Sequence, residues 1–197
     1  MESTARRHKK QHMSFFKNNY EQAESGAGNY LRIQANETAT FRIISAPVEG
    51  LQVFDNKTPV RWAHGQQTPE VVATLDEKPR QFAAFGVYHY EAGAPKIWVC
   101  TTKSILLDLQ NIIEMEGHPF EFDVQVIRKG AGLNTRYFTK MLRKSPPEEE
   151  VKAAAHYYAN EVDLNKLYTN GNPFEKSPTN TQQDGTTKEE PAATTPF

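Results

Sequence analysis

Alternation of apolar and polar side chains organises the middle of this chain. Thr38-Ala-Thr-Phe-Arg-Ile-Ile-Ser45 places Phe41 and Ile43 on one side and Arg42 and Ile44 on the other, which predicts a strand stopped by Pro47. Leu51 to Phe54 and Pro59 to Trp62 predict shorter extended segments. Between Ala63 and Pro79 the pattern dissolves into a loop with Gly65, Pro69 and Pro79. Phe82 to Tyr90 alternates again, with Phe82, Ala84, Gly86, Tyr88 and Tyr90 on one face and Ala83, Phe85, Val87 and His89 on the other. Glu91 to Pro95 reads as a hairpin loop, and Lys96 to Cys100 as the return strand. Ile97 and Val99 are expected inside with Phe85 and Val87, leaving Tyr88, Tyr90 and Trp98 for the opposite face.

The period then changes. Ile105, Leu106, Leu109, Ile112 and Ile113 recur at helical spacing, with Thr102 suited to the N-cap and Gly117 to the stop. Phe120 to Lys129 returns to alternation, setting Phe120, Phe122, Val124 and Val126 against Glu121, Asp123, Gln125 and Ile127. A Gly130-Ala-Gly132 turn leads into Arg136 to Leu142. Past Ser145-Pro-Pro147, Glu148 to Glu150 suit the positive end of a helix reaching about Asn160, extended by Leu164 and Leu167. The order predicts a mainly β fold: a five-stranded OB-fold barrel with a helix between strands 3 and 4, plus a C-terminal helix and disordered tails. The divisions are a basic flexible arm over 1–29, the barrel over 30–144, a helical extension over 145–169 and an acidic tail over 170–197 ending Pro-Phe.

Charge sharpens these divisions. Residues 1–144 hold 19 Lys and Arg against 15 Asp and Glu, and residues 145–197 hold 4 against 9, so a net charge of −1 joins a basic body to an acidic tail. Arg6, Arg7, Lys9, Lys10 and Lys17 make the leader basic, and composition alone also fits a leader whose charges simply keep it solvated. Cys100 is the single cysteine, which excludes an internal disulfide or a cysteine zinc site and suits a cytoplasmic setting. His8 and His12 lack a third ligand nearby, so no metal is expected. No run approaches 18 apolar residues, so no membrane partner is expected either.

The chemistry on offer is stacking and phosphate contact. Trp62, Tyr88, Tyr90, Trp98 and Tyr137 are candidates to stack on bases, and Arg32, Arg42, Arg61, Arg80, Lys96, Lys103, Arg128, Lys129, Arg136 and Lys140 to meet phosphates. Any one aromatic taken singly fits the core equally well; the interleaved set favours a single-stranded nucleic acid. Gly130-Ala-Gly-Leu-Asn lacks the Gly-Lys-Ser/Thr ending of a phosphate loop and leads into no helix. No nucleophile, base or paired carboxylates recur at catalytic spacing, so neither an enzyme nor a cofactor is expected.

Thr38 to Pro47, the Phe82 to Tyr90 strand, Lys96-Ile-Trp98 running into Lys103-Ser-Ile105, and Phe122 to Gly132 with Tyr137 together resemble bacteriophage single-stranded DNA-binding proteins of the phage T4 helix-destabilising type, without the zinc insertion. The resemblance covers about residues 30–144. It implies sequence-independent binding of single-stranded DNA in phage replication or recombination, in the host cytoplasm. It further implies self-association through the arm and recruitment of replication or recombination proteins through Glu189, Glu190, Pro196 and Phe197. An RNA-binding OB protein and a replisome adaptor that binds only protein are the alternatives.

Overall fold

The computed structural model describes residues 28–175. The basic arm up to residue 27, the tail from residue 176 and the docking residues Glu189, Glu190, Pro196 and Phe197 thus lie outside the described residues. The strands are β1 (Thr38–Ile43), β2 (Val48–Asp55), β3 (Thr58–Ala63), β4 (Arg80–His89), β5 (Ala94–Cys100), β6 (Phe122–Lys129) and β7 (Arg136–Lys144). Helix α1 (Lys103–Glu116) joins β5 to β6, and α2 (Glu149–Glu161) follows β7, with a 3-10 helix at Leu164–Thr169 behind it.

All seven strands form one antiparallel sheet in the order β3-β2-β4-β1-β6-β7, with β5 on β4. β4 is the organising strand: β1 pairs with its second half (Phe41 opposite His89) and β2 with its first (Val48 opposite Ala84). The break between β1 and β2 stays bonded to it, because Ile44 N–H donates to Gly86 O at 2.8 Å and Ser45 Oγ accepts from Gly86 N–H at 2.7 Å. The expected five-stranded barrel is met only as a β-rich fold. The sheet has seven strands and, among the described residues, no ladder joins β5 to β7, so it remains open.

Strand parity divides the sheet into two faces. Phe41, Ile43, Phe85, Val87, Trp98, Phe122, Val124 and Val126 form the core under Ile105 and Leu109 of α1. On the other face Phe82, Ala84, Tyr88 and Ile97 are covered by Val151, Ala154 and Tyr158 of α2 and by Leu164 and Leu167. Gly86 makes this cover fit, since a Cβ there would lie 2.3 Å from a Tyr158 ring carbon. Burial on both faces explains the nearly unbroken apolar run of β4.

Local expectations were met to within a residue or two at β1, β4 and α1. Thr102 occupies the N-cap of α1 but its hydroxyl makes no capping bond, whereas Gly117 ends the helix at φ 93°. Phe120, expected to begin the strand in parity with Phe122, sits exposed in a 3-10 turn over Pro119–Glu121. The parity of β5 is also corrected: Trp98 stands opposite Phe85 and joins the α1-side core, while Ile97 goes to the α2 side. The cause is the hairpin, a 3-10 turn over Tyr90–Ala92 with Gly93 at φ 57°, which pairs His89 with Ala94 and fixes the register.

Candidate nucleic-acid interface

Most aromatic candidates are structural. Trp98 is 4% exposed, with its ring centroid 4.7 Å from that of Phe41 and 5.7 Å from that of Phe85. Trp62 is buried. Tyr88 is buried beneath α2 and donates its hydroxyl to Glu150 Oε2 at 2.9 Å. Tyr90 is half-buried and donates to Asp123 Oδ1 at 2.7 Å; burial first, then that carboxylate, push its hydroxyl pKa well up. Tyr137 packs partly buried against the α1-side core. Burial leaves Trp62, Tyr88 and Trp98 without the open ring face that stacking needs, which corrects the expectation for these three, while Tyr90 and Tyr137 are partly exposed.

Three of the expected phosphate ligands are likewise committed. Arg42 is 1% exposed; its Nε lies 2.6 Å from Asp123 Oδ1, and its terminal nitrogens donate to Ser145 O at 2.9 Å and Oγ at 3.0 Å. Arg61 donates to Gln52 Oε1 at 3.0 Å and Leu167 O at 3.2 Å, lies over the Phe82 ring, and has its pKa lowered by burial. Arg128 donates to Ile33 O at 2.8 Å, and its guanidinium carbon lies 5.9 Å from the Tyr137 ring centroid. These cations bridge elements, Arg42 wholly buried and Arg61 and Arg128 partly so. Lys96 is tied to the Gly28 carbonyl. Arg80 is exposed beside Glu77 at 3.2 Å, on β4 beside β2 and away from β7. Lys103 is exposed at the start of α1.

Among the described residues, three of the exposed candidate cations gather in one patch. On the side of β6 and β7 away from α1, register pairs Lys129 with Arg136, Ile127 with Phe138, and Gln125 with Lys140. Lys129, Arg136 and Lys140 are exposed, and Phe138 between them is 49% exposed, with Lys129 Nζ 5.5 Å from its ring centroid. Thr38 and Thr40 continue this face onto β1, opposite Ile127 and Gln125. The Arg42–Asp123–Tyr90 network borders the part covered by α2. At the hairpin tip Leu133 is fully exposed, and Gly130 N–H donates to Asn36 Oδ1 at 2.9 Å. Gly130 has φ 77°, and a Cβ would lie 2.5 Å from Asn134 O, so the tip's shape depends on glycine.

Lys129, Arg136 and Lys140, expected on this hairpin, lie together on it, whereas Tyr137, the ring expected beside them, faces the α1-side core and Phe138 stands between the cations. Arg136, Phe138 and Lys140 share one parity and Tyr137 the other, so the period-2 signal for Phe138 was already present. Cys100 is buried, and burial raises its thiol pKa to about 11. Among the described residues no three His, Cys, Asp or Glu side chains gather where they could hold a metal ion, and no helix is long and apolar enough to cross a membrane. No protein-family model, curated protein or solved structure matches the chain.

Proposed function

We propose that this chain is a non-enzymatic, sequence-independent single-stranded DNA-binding protein that holds its strand on the open face of β6 and β7. The observation that carries the reading is the half-exposed Phe138 ring set among Lys129, Arg136 and Lys140. A base can stack on the ring while successive phosphates meet the cations, an arrangement that reads backbone and π-face and not sequence. The ladders also support an OB reading. If β1 and β2 count as one interrupted strand, that strand pairs with β4 and β6, β4 pairs with β5, and β6 pairs with β7. OB barrels are often partly open, and the loop between their last two strands is a recurrent oligonucleotide contact; here that loop is the Gly130 tip. Action in phage replication or recombination, with Glu189, Glu190, Pro196 and Phe197 recruiting partners, belongs to the same proposal.

The test is a salt titration of binding to oligothymidine by the wild type and by Lys129→Ala/Arg136→Ala/Lys140→Ala. Loss of three phosphate contacts should flatten the log–log slope by about 2. An unchanged slope removes the patch from the site, and tighter binding of the matched RNA strand replaces DNA as the ligand. Absence of any salt-dependent binding by the wild type would leave the protein adaptor in its place.

A further inference from the structure

Between the first half of β4, the bend after β1 and the Leu106–Ile113 edge of α1's packed face lies a cleft of about 800 Å³. Its floor includes Phe85, Leu106, Leu109 and Ile113, its rim carries the carboxylates Glu49 and Glu114 and the imidazoles His64 and His118, and no Lys or Arg lines it. It lies by the start of β6, whereas the basic patch surrounds the end of β6, so the seven residue steps from Phe122 to Lys129, about 23 Å of strand, separate them. An apolar floor with an anionic rim fits a segment carrying aromatic rings beside cations.

The geometry points to the chain's own N-terminal segment, through Phe15 and Phe16, as the occupant of this cleft. Three observations choose it. Residues 1–20 set Arg6, Arg7, Lys9, Lys10 and Lys17 against the single acid Glu2, which complements the rim. The other end of the chain is excluded by charge, because Glu189, Glu190 and the terminal carboxylate accompany Phe197. Reach fits as well. The segment is anchored where Ile97 N–H donates to Asn29 O at 2.8 Å and Lys96 holds the Gly28 carbonyl. Lys96 lies opposite Val87 and Cys100 opposite Ala83, a cleft residue, so anchor and cleft are four residues of strand apart, about 13 Å. The 12 residues from Phe16 to Gly28 span about 19 Å as a coil, and Gly26 and Gly28 allow the reversal required. A linker whose reach matches the span gives an effective concentration in the millimolar range, which favours the chain's own segment over a second copy's.

The experiment places a spin label on Ser14→Cys in the full-length chain, with Cys100 left unlabelled in the core, and reads paramagnetic broadening of Leu106, Leu109 and Ile113 signals. Broadening at the cleft is expected, lost in Phe15→Ser/Phe16→Ser and reduced by Glu114→Lys, which alters only an exposed position. No broadening there, or broadening that survives Phe15→Ser/Phe16→Ser, overturns the assignment. So does broadening seen only when label and isotope are on different molecules, which would give the cleft to a second copy. All variants keep Lys129, Arg136 and Phe138, so oligonucleotide binding stands or falls separately.

Discussion

On the proposed reading, Phe138→Ala separates the binding surface from the core. A wholly buried phenylalanine hides roughly 150–250 Å². Phe138 is 49% exposed, so truncation withdraws roughly 100 Å² of apolar burial, worth at most about 2 kcal/mol after allowing for a compact unfolded state. The Lys129 contact adds about 0.5 kcal/mol. A domain stable by roughly 5–15 kcal/mol survives that loss. One stacked base, by contrast, is worth roughly 1–3 kcal/mol, so affinity for oligothymidine should fall about 5- to 150-fold. Trp98→Ala should show the opposite signature, because emptying the site between Phe41 and Phe85 costs roughly 3–5 kcal/mol of stability. Binding measured by anisotropy and divided by the folded fraction from a thermal melt reads both. If Phe138→Ala binds as wild type while folded, or Trp98→Ala stays fully stable yet loses DNA, the face assignment is wrong.

Arg42→Met should cost roughly 3–5 kcal/mol in a denaturant melt by stranding Asp123, while affinity per folded molecule is unchanged; selective loss of DNA binding would return Arg42 to the site. Stability should fall as pH rises above about 9, because the thiol of Cys100 keeps its proton up to about 11 in the folded chain whereas the unfolded thiol loses it near 9, and the raised Tyr90 acts in the same direction. A melting temperature that is flat or rising across that window would contradict the burial of both groups. Deleting residues 176–197 should leave the melt unchanged, whereas deletion from residue 170 should lower it, because buried Pro173 bonds its carbonyl to Asp163 N–H at 2.9 Å and Phe174 packs on Tyr158. Equal melts for the two truncations would refute that docking.

The elements were legible because each obeys a single period, and the site was less so because parity relative to the whole sheet is not local. Phe41, Ile43 and the Ile105-to-Ile113 stripe announce their buried sides within a few residues. Lys96 to Cys100 does not: with both faces of β5 partly covered, Ile97 and Trp98 are equally at home on either side, and only the Tyr90–Gly93 turn decides between them. Tyr88 and Arg42 looked like ligands because a sequence does not show that α2 and Ser145, some 60 to 100 residues on, supply their partners. Lys129 and Lys140 were readable because a hairpin tip beside Gly130 leaves little to bury them.

The position of β1 in the sheet governs how the chain reaches this structure. β1 is flanked by β4 and β6, and its Arg42 bonds to Asp123, 81 residues later. Until β6 has been synthesised, β1 presents a bare edge bearing Phe41 and Ile43, and α1 has only part of a sheet to rest on. Pairings over such separations carry a large loop-closure cost and slow folding relative to a helical protein of equal length. An unpaired apolar edge is also an invitation to a neighbouring nascent chain. Chains truncated before Phe122 should therefore aggregate, and the hairpin that carries the cationic patch is also the element that closes the exposed edge of β1.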